Sequence, residues 1–235
     1  MIKTYFLLFI MLGIPLFLNA QAQFSQGYLV LANGQKQSCQ LKNRGAEGKG
    51  EDYIYRLSKN DSIRPVSVEK IREFGIENSR KFVREFIELD ISGNRIKSYE
   101  EIGKNLNVEK GYAFLQERIE SDDASLYSFQ YEGEIFFFYR RLNAPVNFLI
   151  YKQYELQVAN LEITEVIRDQ RFRDQLEADL PCSVDAQKVE YRLEDLMEYF
   201  AAYINETGGH YKKLGMPTKA KVGIKITTAY NHSSY

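Results

Sequence analysis

LYSFQYEGEIFFFYR, residues 126–140, is the stretch that decides the fold. Two β-prone runs, 126–131 and 134–140, flank Glu132-Gly133, and a short Gly-containing link between such runs predicts an antiparallel hairpin. In the second run Phe136, Phe137, Phe138 and Tyr139 place aromatics on both faces of the strand. That predicts a central strand covered on both sides. Working towards the N-terminus, 112–119 and 81–89 read as further strands, separated by a polar, irregular excursion over 91–107 with Gly93 and Gly103. Runs 27–32 and 36–41 flank Asn33-Gly34, a strong hairpin signal. Runs 53–57 and 63–66 turn about Lys59-Asn60-Asp61. Ser67 is placed to cap a short helical turn containing Val68, Ile71 and Phe74.

Towards the C-terminus, 147–156 and 161–167 predict a third hairpin around Val158-Ala159-Asn160. The period then changes. Phe172, Leu176 and Leu180 have helical spacing over 169–180, and Pro181 stops the helix. Over 192–205, Leu193, Met197, Phe200, Ala201 and Ile204 form one stripe, with Glu194, Asp195 and Glu198 opposite. Gly208-Gly209 ends it, and a stripe of this kind is core packing far more often than a partner groove. The fold class is therefore α+β: an antiparallel β meander, sandwich- or barrel-like, followed by two helices and a C-terminal amphipathic strand. The expected divisions are a β-rich domain over 23–168, a helical segment over 169–217, and a last segment over 218–235.

The two ends of the chain bear on location. Lys3, the uncharged run 5–18 and Asn19-Ala20-Gln21-Ala22 have the three-part layout of a secretory signal over residues 1–22. Removing it takes away one positive charge from a chain of net charge −1. So near-neutral a balance gives no electrostatic reason to expect nucleic acid as a partner. At the other end 219–230 alternates strictly: Ala220, Val222, Ile224, Ile226, Thr228 and Tyr230 on one face, three lysines on the other. Twelve such residues suit either a tilted outer-membrane barrel strand, with Val222, Ile224, Ile226 and Tyr230 facing lipid, or an amphipathic edge of the soluble fold. Export also makes a disulfide between Cys39 and Cys182 feasible, although two separately buried thiols fit the sequence equally well.

Signatures of catalysis are scarce. His210 and His232 are the only histidines, neither sits in a zinc-binding spacing, and no G-x-S-x-G elbow occurs. Glu85, Glu88 and Asp90 form a carboxylate cluster that solvated strand ends explain, and turn chemistry accounts for Asp122-Asp123. The glycine-rich stretch 45–50 matches no phosphate-loop pattern. The sequence therefore nominates no catalytic residue, no cofactor and no metal ligand.

Several of these features together resemble a family of Gram-negative outer-membrane β-barrel proteins with a soluble N-terminal periplasmic domain. They are the signal followed by Gly27-Tyr28-Leu29-Val30 and Asn33-Gly34, the stretch Ser67-Val68-Glu69-Lys70-Ile71-Arg72-Glu73-Phe74-Gly75, and Leu180-Pro181-Cys182. The helix over 192–205 and Lys221-Val222-Gly223-Ile224-Lys225, as an opening barrel strand, complete the set. The resemblance implies a non-catalytic periplasmic accessory domain, structural or binding in role, attached to the outer membrane through a barrel beginning near 218. One strand cannot close a barrel. Either the barrel continues beyond Tyr235, or 219–235 belongs to the soluble fold. A free-standing periplasmic binding module for a small ligand or protein is the alternative reading, and a periplasmic hydrolase the third.

Overall fold

The computed structural model describes residues 24–43, 50–76, 79–92, 95–96, 98–102, 104, 107–142, 144–157 and 164–215. The signal over 1–22, the turn at 158–160 and the alternating segment with Val222, Ile224, Ile226 and Tyr230 lie outside the described residues.

The hairpins expected from sequence are present. β1 (Ser25–Leu31) and β2 (Lys36–Asn43) pair across the turn containing Gly34, whose φ of +87° favours a residue without a Cβ. β3 (Tyr53–Arg56) and β4 (Arg64–Pro65) follow. The chain then returns to lay β5 (Ile71–Ile76) on the other side of β1. β6 (Arg80–Asp90) follows it, then β7 (Arg95–Ile96), β8 (Val108–Glu120), β9 (Ala124–Tyr131), β10 (Glu134–Arg141) and β11 (Asn147–Phe148). The main sheet runs β11-β10-β9-β8-β6-β5-β1-β2-β3-β4. β12 (Lys152–Gln157) and β13 (Thr164–Asp169) pair as a hairpin and join β7 in a separate small sheet. Helices α1 (Phe172–Asp179) and α2 (Leu193–Glu206) precede β14 (Lys212–Lys213), which pairs with the end of β8.

Three local expectations give way. Ile71 and Phe74 lie in strand β5, not in a helix begun by Ser67. The Ser67 carbonyl accepts from the Lys70 and Ile71 amides, so a single turn forms and stops. The spacing of three is accommodated by a bulge: Val30 faces Glu73, Leu31 faces Ile71, and Arg72 is the extra residue. Ile71 and Phe74 thereby reach the same core. Next, β10 is covered on both faces but is not central; only two-residue β11 lies beyond it. Finally, the run 147–156 divides between two sheets, because Phe137 N–H is taken by the Tyr191 hydroxyl (3.0 Å), which itself donates to the Leu149 carbonyl (3.1 Å).

The main sheet folds over both of its faces. β3 lies four places from β6, about 19 Å away in a flat sheet, yet the Tyr53 and Phe82 ring centroids are 5.2 Å apart. They close a core with Leu29, Leu41, Phe74 and Phe114. On the opposite face, β10 is three places from β6, yet Arg140 meets Glu85 at 2.7 Å. Here Ile87, Leu89, Leu115, Tyr127 and Phe138 form a second core. The far side of β9 and β10 is covered by the helices: Leu196, Phe200 and Ile204 of α2 pack with Ile119, Leu126 and Tyr139. Burying a large apolar side chain is worth about 1.5–3 kcal/mol, so this stripe anchors the helical segment. Lys152 ties the small sheet to the end of β6 through Asp90 (2.7 Å) and the Ser92 carbonyl (3.0 Å).

Candidate functional site: a polar cleft at the end of the folded sheet

One row of cross-strand neighbours leads to the site. Tyr28 faces Gly75, Gly75 faces Lys81, Lys81 faces Glu117, and Glu117 faces Tyr127. All five positions share one sheet face. Gly75 leaves room for the Tyr28 ring, since a Cβ there would stand 2.9 Å from it. The Tyr28 hydroxyl donates to Glu73 at 2.8 Å.

A second bulge shapes the row. Glu117 faces Tyr127 while Ile119 faces Leu126, so Arg118 is the extra residue on β8. In an unbroken strand Glu117 and Ile119 would point the same way. The bulge instead turns Ile119 into the helix-side core and brings Glu120 round beside Glu117. Lys81 is held between them, 2.8 Å from Glu117 and 2.5 Å from Glu120. Burial alone would lower the Lys81 pKa, but these two carboxylates outweigh it and hold the ammonium above the ordinary lysine range. Glu117 is only 4% exposed. Burial pushes its carboxyl above the usual carboxylate range, against the pull of Lys81. Burial, reinforced by the Glu117 charge, pushes the Tyr127 phenol up to about 12.

These groups floor an open cleft of about 880 Å³. Four separate stretches line it: Lys81 of β6; Glu117 to Tyr127 around the β8–β9 turn; Arg140 near the end of β10 with Leu142, Ala144 and Pro145 after it; and His210, Tyr211 and Lys212 before and within β14. The volume lies within the range of small-molecule sites, about 300–1,000 Å³. Leu142 is a non-glycine residue with φ +48° and is 60% exposed. Its N–H donates to the Asp123 carbonyl at 2.8 Å, which fixes the loop across the rim. A second cavity, about 610 Å³, lies between Ile102, the end of β13 and α1. Its arginines are mostly committed, Arg171 to Asp169 and Arg173 to Glu190 and the Val189 carbonyl.

The carboxylates singled out in sequence do not come together. Glu85 binds Arg140, Glu88 binds Lys110 on the surface, and Asp90 binds Lys152. Two of the three are therefore partly buried ion pairs, not solvated strand ends. Asp122 and His210 both line the cleft, while Thr207 donates to Asp123. Cys39 and Cys182 are free thiols: Cys39 is buried in the β1–β2 core and Cys182 packs against the helix-side cluster, so the disulfide alternative is not realised. Among the described residues no group of three or more His, Cys, Asp and Glu is placed to hold a metal ion. Among them, too, no helix is long and apolar enough to cross a membrane. Lys81, Glu117, Tyr127 and Arg140 carry no sequence motif; only the β6–β8–β9–β10 register brings them together. No family model, no curated protein and no solved structure matches the chain.

Proposed function

We propose that this chain is an exported, non-catalytic binding domain, acting in the periplasm as the soluble part of an outer-membrane β-barrel protein. The observation that carries the binding role is the cleft itself, where four stretches distant in sequence converge on a buried, ion-paired floor. Its chemistry favours holding over reacting. Lys81 is neutralised by Glu117 and Glu120, Arg140 by Glu85, and the Ser125 hydroxyl donates to the Ser121 carbonyl. The location rests on the signal over 1–22 and the alternating segment 219–230.

Two measurements test this reading. The complete gene product, expressed with its own leader in a Gram-negative host, should be recovered in the outer-membrane fraction and require detergent. Recovery wholly in the soluble periplasm favours a free-standing module, and retention in the cytoplasm defeats export. For binding, a small-molecule extract of the source cells should raise the Tm of the exported protein and not that of Ala144→Trp, which fills the cleft mouth. Equal responses of the two proteins would defeat the binding role.

A further inference from the structure

We propose that the cleft receives a small zwitterion bearing one ammonium and one carboxylate, in the amino-acid to short-peptide class. This rests on the binding role proposed above.

The charges lining the cleft are balanced and mixed: Lys81, Arg140 and Lys212 against Glu117, Glu120 and Asp122. A ligand of single sign meets as much repulsion as attraction there, whereas a dipolar one is matched at both ends. Availability sharpens the match. Glu120 gives one oxygen to Lys81 and is 41% exposed at its side chain, which leaves its other oxygen for a ligand. Arg140 gives one nitrogen to Glu85. A guanidinium has five N–H groups in a planar fork, so further donors remain for a carboxylate. At the mouth, no ion pair engages Asp122 or Lys212 among the described residues, and the two supply free charges of opposite sign.

The rim supplies the apolar complement. Left-handed backbone is unfavourable for a residue with a Cβ, which crowds the following carbonyl oxygen. Leu142 is held in that conformation with its side chain exposed beside Ala144 and Pro145. Strain of this kind collects at ligand clamps. Here it keeps an apolar wall against a charged floor, which is the division of surface an amino-acid side chain and its two termini require.

The test is calorimetric titration of the full exported protein with leucyl-leucine, N-acetyl-leucyl-leucine, leucyl-leucinamide and maltose. Leucyl-leucine should bind, with each singly charged analogue at least tenfold weaker and maltose silent. Asp122→Asn should weaken the dipeptide while leaving the N-acetyl compound unchanged; Lys212→Gln should weaken the dipeptide while leaving the amide unchanged. Both positions are exposed, and far-UV circular dichroism verifies that the variants fold. Equal binding of capped and uncapped peptides overturns the proposal. So does maltose binding without dipeptide binding, or silence towards all four probes. In those cases a Tm rise with cell extract that Ala144→Trp abolishes keeps the binding role and rejects only the ligand class; no such rise rejects both.

Discussion

Replacing Lys81 by Met should destabilise the protein far more than replacing Glu117 by Gln, although the two residues form one pair. The pair is nearly out of solvent, with side-chain exposures of 19% for Lys81 and 5% for Glu117. Removing the cation leaves Glu117 as a buried, uncompensated carboxylate beside Glu120. Breaking a buried pair from one side typically costs about 3–5 kcal/mol; the open cleft admits some water, so about 3 kcal/mol is expected. Removing the carboxylate is milder, because Lys81 keeps Glu120 at 2.5 Å and Glu117→Gln leaves a neutral amide; about 1–2 kcal/mol is expected. The pH dependence separates this mechanism from lost packing. The Glu117 pKa in the folded state already lies above its ordinary value of 4.5, so the folded chain binds the extra proton and stability from this group falls as pH rises through that window. Lys81→Met raises the folded pKa further and widens the window. Its deficit should therefore be largest near neutrality and shrink below the ordinary glutamate pKa, where the carboxyl is neutral in both states. The assay is urea unfolding followed by far-UV circular dichroism at pH 7 and pH 4, suited to a chain without tryptophan. A Lys81→Met deficit that is the same at both pH values, or smaller than that of Glu117→Gln, would refute the reasoning.

Tyr191→Phe should cost about 1–3 kcal/mol in the same assay, since it strands the Phe137 N–H and Leu149 carbonyl that the hydroxyl serves; a change under about 0.5 kcal/mol would mean water replaces the hydroxyl there. Burial opposes ionisation of Asp90, but hydrogen bonds from Lys152 and Ser92 prevail and hold its carboxyl below the ordinary aspartate value of 3.8. Its contribution is thus fully present above that value and lost as pH falls through the lowered pKa. Amide exchange in β12 and β13 should accelerate there before exchange in β8 and β9, and simultaneous loss would exclude Asp90–Lys152 as the tie. Burial pushes the Cys39 thiol up to about 11, so it should resist alkylation in the native protein at neutral pH. Both thiols should alkylate in denaturant without reductant, and protection of both would restore the disulfide.

Much of the architecture was legible because strand and helix periods leave direct traces. Asn33-Gly34 and Glu132-Gly133 located two hairpins, and the stripe from Leu193 to Ile204 located α2 with its buried face. Misreadings arose where one residue depends on a distant one. Ile71 and Phe74 have a helix-like spacing of three, and nothing local reveals that a bulge at Arg72 absorbs the mismatch. The run 147–156 looked continuous because the Tyr191 hydroxyl that helps end its pairing lies more than forty residues away. Phe136 to Tyr139 correctly announced two covered faces, but cover came from helices on one side and the sheet's own fold on the other. Centrality in a sheet and burial on both faces are separate properties, and aromatic content reports only the second.

The cleft was illegible for the same reason, and its construction gives the reason physical form. Glu117 and Glu120 stand three apart, a spacing that in a regular strand places them on opposite faces and in a helix on the same one. Neither assignment predicts a strand that clamps a lysine between them. The bulge at Arg118 does so, and the same extra residue sends Ile119 into the core that seats α2. One irregularity therefore sets both the packing of the helices and the charge at the floor of the cleft. A bulge placed for packing alone would leave residue 120 indifferent to charge. Lys81 instead meets Glu120 at 2.5 Å and Glu117 at 2.8 Å, so Glu120→Ala should disturb the cleft electrostatics while leaving the Ile119–α2 contact intact. That separation distinguishes a built site from an accident of folding.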